Sequence, residues 1–193
     1  MEWMTTTTIL HGLRDFSNAA AWERLVGRFR VPIAAFAREM GLDPTESEDL
    51  SQIVLAEFAE AYRQGRYQRE HGRLSSWLFG IAYRQSLKVL RDRAHDPRAG
   101  VETRIITGTP AGAEASRVWD GQWQRTVLDL CLARARSEVE PETFEAFDLT
   151  ARRGLDAEQA AAQLGVPVKS IYNAKHRVLK RIRELSAEIE SME

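Results

Sequence analysis

Cysteine is all but missing: Cys131 stands alone among 193 residues, so neither an intramolecular disulfide nor a cysteine metal cluster can form. It lies in the apolar run Val127-Leu128-Asp129-Leu130-Cys131-Leu132 and is expected to be a buried, inert thiol. No stretch approaches the ~18 consecutive apolar residues of a membrane span. The threonine-rich start, Met1 to Leu10, lacks both the basic end and the apolar centre of a signal peptide, so a cytoplasmic location is expected. A dominant charge is also lacking, because 27 basic and 28 acidic residues leave a net charge of −1. Nor is there a glycine-rich phosphate loop, a metal-ligand set, or a Ser/His/Asp arrangement that helices would bring together. No catalytic residue, metal or cofactor is therefore expected, and an enzyme is the least favoured class.

What the chain does have is uneven charge and helical period. Arg63 to Arg93 holds eight basic residues against Glu70 and Asp92, and Asp156 to Leu185 holds six basic against three acidic. Acid collects from Asp43 to Glu60, around Glu138 to Glu145, and at the C-terminus. Apolar residues make up 44% of the chain, enough for one large core or two small ones. They recur at helical spacing with no convincing strand alternation, so the fold class is all-α.

Trp22, Leu25, Val26, Phe29, Ile33 and Phe36 mark a helix ending near Gly41. Asp43-Pro44-Thr45-Glu46 then reads as a start signal, with Asp43 as cap, Pro44 in the first turn and Glu46 closing a capping box. That helix is predicted to reach about Arg63. A polar loop with Gly65 and Gly72 leads to a third helix from about Leu74 to Arg93. Asp96-Pro97, Gly100, Gly108, Pro110 and Gly112 then interrupt any amphipathic period. The expected organisation is two small helical domains, 1–93 and 118–193, joined by a flexible linker, 94–117. Further helices are predicted from Val118 to about Ser137, Pro141 to Arg152, Asp156 to Leu164, and Val168 to about Glu188.

The most specific pattern lies near the C-terminus. An alanine-rich helix, Asp156 to Leu164, stops at Gly165, turns through Val166-Pro167, and restarts as a longer basic helix, which is helix-turn-helix order. At 100° per residue Ile171, Ala174, Val178, Ile182 and Leu185 share an inward face. Lys169, Asn173, His176 and Lys180 share the opposite face, flanked by Ser170 and Arg177. Such a face suits reading base edges near the helix start and binding phosphates further along. An ordinary helical hairpin with a solvated basic face is the plain alternative.

Glu48-Asp49-Leu50-Ser51-Gln52, Gly72-Arg73-Leu74-Ser75-Ser76-Trp77-Leu78-Phe79-Gly80-Ile81-Ala82 and Leu87-Lys88-Val89-Leu90-Arg91 resemble region two of the extracytoplasmic-function sigma factors of bacterial RNA polymerase. The Leu164-Gly165-Val166-Pro167 turn and its basic helix resemble region four. The likeness covers roughly residues 20–93 and 119–188. It implies two helical domains that bind core RNA polymerase at the β′ clamp helices and the β flap. Region two would melt and read the minus-ten promoter element, and region four the minus-thirty-five element. An anti-sigma factor or a protein kinase would be a further partner, and no membrane is involved.

On the helix from Pro44, Leu50, Val54, Phe58 and Ala61 form the core stripe, while Glu46, Asp49, Gln52 and Glu60 form an acidic face. The resemblance assigns Asp49, Gln52 and Glu60 to polymerase, together with Ile53, where the family commonly carries an acid. Thr45, Ser47 and Ser51 bracket Glu48-Asp49. If phosphorylation restores the missing charge, Thr45 is the favoured site, since the two serines turn toward the core stripe. The loop with Arg66, Tyr67 and Arg73 mixes cations and aromatic rings, as single-stranded DNA requires. Trp77, Arg84, Lys88 and Arg91 continue that minus-ten surface along the next helix, although a core role for Trp77 fits as well. Tyr83-Arg84-Gln85 and Asn173-Ala174 depart from the usual arginine-asparagine and serine-arginine, which bears on the promoter sequence read. Two other classes stay open: a stand-alone helix-turn-helix regulator that binds duplex DNA by itself, and a protein that sequesters a sigma factor or a polymerase surface.

Overall fold

The computed structural model describes residues 10–13, 15, 17–95 and 110–191. Their regular structure is all helical, with no strand among the described residues, as the period-3.6 pattern predicts. The helices are α1 (Ala19–Glu39), α2 (Pro44–Arg63), α3 (Leu74–His95), α4 (Ala113–Glu138), α5 (Pro141–Phe147), α6 (Ala157–Leu164) and α7 (Val168–Ser191). None is long and apolar enough to cross a membrane. The chain divides into two compact units, one running to Thr126 and the other starting at Val127.

In the N-terminal unit α1, α2 and α3 close on Leu25, Phe29, Ile33, Phe36, Leu50, Val54, Phe58, Leu78 and Ile81, all 2% exposed or less. The α2 start signal is realised in full: the Asp43 carboxylate accepts from the Glu46 N–H, and the Glu46 carboxylate from the Asp43 N–H, both at 2.9 Å. The expected inward turn of Ser47 and Ser51 is also present, since both are fully buried.

The tether departs from expectation. Helix α4 begins at Ala113 rather than near Val118, and its first half belongs to the N-terminal unit. There Trp119 is buried edge-on to Phe36, and Trp123 stacks on Phe29. Gly112 donates its N–H to the Tyr83 hydroxyl at 3.2 Å, fixing the entry to the helix. Ala115 and Trp119, one helical turn apart, are the buried positions of that half, and only residues 113–117 precede the predicted start. Residues 96–109 of the expected linker lie outside the described residues.

In the C-terminal unit Phe144, Ala146, Phe147 and Leu149 line α5 and the π turn that continues it, Asp148–Arg152. That turn replaces the last part of the single helix expected from Pro141 to Arg152. Asp156 caps α6 through a second capping box with Gln159, and Gly165 ends the helix at φ 65°, a conformation that a side chain would strain. Ala160 and Ala161 are small enough to let Ile171 and Ala174 of α7 pack directly on them. Cys131 is buried, as its apolar run foretells.

Candidate nucleic-acid interface

Helix α7 begins its helical period just after the Gly165 turn, and packing decides which residues it leaves outside. Ile171, Ala174, Val178 and Leu185 are buried, and Ile182 is partly so. Lys169, Ser170, Asn173, His176, Arg177 and Lys180 are all exposed, as the helical projection predicts. Among the described residues no hydrogen bond or ion pair engages the side chains of Lys169, Asn173, His176, Arg177 or Lys180. Tyr172, 62% exposed, sits three residues after Lys169 and four before His176, in the middle of the same stripe. The projection passed over it, although its spacing alone places it there.

Arg181 does a different job. Its Nε donates to Glu138 at 2.6 Å, and its Nη1 reaches Glu184 at 3.2 Å and Glu188 at 3.6 Å. Arg134 also pairs with Glu138. The Arg181 hydrogen bond, opposed by some burial and aided by Arg134, holds the Glu138 carboxyl below the ordinary carboxylate range, and the Arg181 guanidinium is correspondingly raised. This cluster ties α7 to the end of α4 and commits Arg181 to internal partners.

In the N-terminal unit α2 exposes Asp49, Gln52, Ile53, Ala56 and Glu60 along one stripe, with Ile53 49% exposed. Glu46 does not belong to that outward face. Its carboxylate is taken up by the capping box and by Arg93, whose guanidinium also donates to the Gly41 carbonyl. Glu60 is shared with Arg63 and Gln64 on its own helix, whereas Asp49 has no partner among the described residues. Thr45 is exposed in the first turn.

The loop between α2 and α3 needs one correction. Arg66 and Arg73 are exposed, but Tyr67, expected to offer its ring to DNA, is only 7% exposed. Its ring stands edge-on to Phe58 and Trp77, and its hydroxyl donates to the Gly72 carbonyl at 3.3 Å. An aromatic residue beside two arginines reads as a base platform in the sequence; packing on the apolar ends of α2 and α3 wins instead. Trp77 is half-buried against the same cluster, which favours its core reading. Arg84, Lys88 and Arg91 follow on the outer side of α3, with Arg84 3.5 Å from Glu57 and Arg91 bonding the Leu87 carbonyl. Among the described residues no group of three His, Cys, Asp or Glu could hold a metal.

Comparison with known proteins fits this arrangement. Residues 25–95, from within α1 to the end of α3, match the family model of sigma-70 region 2. The chain is 31% identical over 171 residues to the RNA polymerase sigma factor CarQ of Myxococcus xanthus, covering 88% of this chain and 91% of that one. It is 23% identical over 179 residues to the ECF RNA polymerase sigma factor RpoE of Cereibacter sphaeroides, covering 91% and 92%.

Proposed function

Because the chain belongs to the extracytoplasmic-function sigma factors of RNA polymerase, we propose that it works by presenting two separate DNA-facing surfaces and one polymerase-facing stripe. As a sigma factor it binds core RNA polymerase and directs promoter recognition and transcription initiation. The chemistry is left to the polymerase.

The observation that carries the division of labour is the uncommitted face of α7. Lys169, Ser170, Tyr172 and Asn173 near its start read base edges of the upstream element, and His176, Arg177 and Lys180 bind flanking phosphates. Arg66 and Arg73 in the loop, with Arg84, Lys88 and Arg91 on α3, follow the opened minus-ten strand and the adjoining backbone. Trp77 contributes chiefly by supporting that loop from beneath. Asp49, Gln52, Ile53 and Glu60 grip a basic helical surface of the polymerase β′ clamp, with Ile53 supplying an apolar contact. The β flap is the partner of the C-terminal unit. Thr45 is the one hydroxyl among Thr45, Ser47 and Ser51 that a kinase could reach without unfolding α2. Control by an anti-sigma factor is the other route.

In vitro transcription with purified core polymerase tests this reading. Specific initiation is expected from a promoter library only when the protein is added. Tight sequence-specific duplex binding by the protein alone, without polymerase-dependent initiation, would favour a stand-alone regulator instead.

A further inference from the structure

The loop that follows α2 is exposed and basic on its outside yet fastened from within by one residue. After the Arg66 N–H bonds the Ala61 carbonyl at 2.9 Å, the chain turns Tyr67 inward. The neighbours Arg66, Gln68, His71 and Arg73 are all exposed. The Tyr67 ring lies 5.8 Å from Phe58, 6.4 Å from Tyr62 and 5.5 Å from Trp77, so it spans the end of α2 and the start of α3. Its hydroxyl then closes on the carbonyl of Gly72 at 3.3 Å. Gly72 has φ 143°, and it directly precedes Arg73 and α3. Tyr62 is itself held, donating its hydroxyl to the Leu10 carbonyl at 2.6 Å.

A clip of this kind has a physical consequence for a strand-binding loop. Each residue fixed on binding costs conformational entropy that is subtracted from affinity, unless the loop is ordered beforehand. Arg66 and Arg73 sit on the two sides of Tyr67, six residues from each other's far side of the clip, and both depend on where it holds the backbone. Resting on the reading of this loop as the strand-binding element, we propose that Tyr67 is a positioning residue for promoter opening. It touches no DNA; its hydroxyl sets the loop shape in which Arg66 and Arg73 capture the opened strand, and Tyr62, anchored on Leu10, backs its ring.

The test uses the full-length chain with core polymerase and a promoter that the wild-type holoenzyme selects from a randomised library. That promoter is prepared fully paired and pre-opened. Tyr67→Phe keeps the ring and its packing while removing the clip. Strand opening, read by permanganate reactivity of unpaired thymines, should fall about three- to ten-fold, the scale of one lost hydrogen bond. Release from the pre-opened promoter should speed up to a similar extent. Core-polymerase affinity should hold, and the melting temperature of the free protein should fall by no more than the few degrees that one lost hydrogen bond accounts for. In an Arg66→Ala, Arg73→Ala background the same substitution should cost nothing further, because Tyr67 acts through those arginines. Wild-type opening by Tyr67→Phe, a full additional loss in the double-alanine background, or a parallel fall in polymerase affinity would each overturn the proposal. Should the wild-type holoenzyme select no promoter, the reading of the loop falls first and this inference with it.

Discussion

Trp123 of α4 lies flat on Phe29 of α1, ring centroids 5.1 Å apart and planes 3° from parallel, with the Arg28 guanidinium 5.6 Å from the indole centroid. Together with buried Trp119, this contact makes the first half of α4 a fourth wall of the N-terminal core. Trp119→Ala is expected to destabilise that unit by about 3–5 kcal/mol, as large-to-small core substitutions do. Trp123→Ala, at a half-buried site, should cost less, chiefly its area and about 0.5–1.5 kcal/mol of ring pairing. Urea denaturation followed by circular dichroism measures both. Equal, negligible losses would mean that α4 merely leans on the unit.

Opposite behaviour is expected on the outward stripe of α2. Asp49→Arg reverses an exposed charge that has no partner among the described residues. Fold stability should shift by no more than ~0.5 kcal/mol. Binding to core polymerase should weaken clearly in a pull-down. Undiminished affinity would move the polymerase contact to another face.

Much of this layout is legible in the sequence because local rules and packing agree there. Asp43-Pro44-Thr45-Glu46 and Asp156 to Gln159 both read as capping boxes and fold as such. The inward row Ile171, Ala174, Val178, Leu185 follows the 3.6 period and is buried. Only the first turn of α4, residues 113–117, escapes notice, because Pro110 and Gly112 directly before it read as linker. Tyr67 and Glu46 mislead for a shared reason. Each is a polar-capable residue in a charged segment, and each is claimed by a tertiary partner that no local pattern announces: Gly72 with Trp77 for Tyr67, and Arg93 for Glu46.

The recognition helix should separate affinity from selectivity. If Arg177 and Lys180 bind phosphates as proposed, Arg177→Ala or Lys180→Ala should weaken promoter binding by the holoenzyme for all sequences. Its logarithmic salt slope should shrink by about one. Lys169→Ala, Tyr172→Ala or Asn173→Ala should instead relax preference at particular positions of the upstream element, by about 1–3 kcal/mol per base pair read. Selection from a randomised upstream element is the measurement, and full selectivity in all three variants would show that the face is wrongly oriented.

Acid should loosen the C-terminal unit through Glu138. Its carboxyl is held below the ordinary value of 4.5, first by the Arg181 hydrogen bond, so the folded form keeps its charge where the unfolded form has begun to bind protons. Its stabilisation is therefore fully present above the unfolded value and is lost as pH falls through the lower folded value. The cluster lies at the surface and is partly exposed, which limits the effect to roughly 0.2–1 kcal/mol. Glu138→Gln should flatten the decline in stability below pH 4.5. An unchanged acid limb would show that the pair contributes nothing.

Thr45 and Ile53 bear on one charge. Ile53 leaves an exposed apolar side chain where the resemblance leads one to expect an acid, and Thr45 lies exposed one turn before Asp49 at the start of α2. Phosphorylation would add a charge of about −1.5 to −2 at a helix N-terminus, where negative charge is favoured. Ser47 and Ser51 cannot take that part, because both are fully buried and Ser51 Oγ already bonds the Glu48 carbonyl at 2.7 Å. If charge is what α2 lacks, Thr45→Glu should raise transcription above Thr45→Ala, and Ile53→Glu should tighten core-polymerase binding in the unphosphorylated protein. If Ile53 is instead an apolar contact, Ile53→Glu should weaken that binding and the two Thr45 variants should transcribe equally, with and without co-expressed kinases. Transcription from one selected promoter, paired with polymerase affinity for all three variants, separates the two cases, since the charge model requires both gains together.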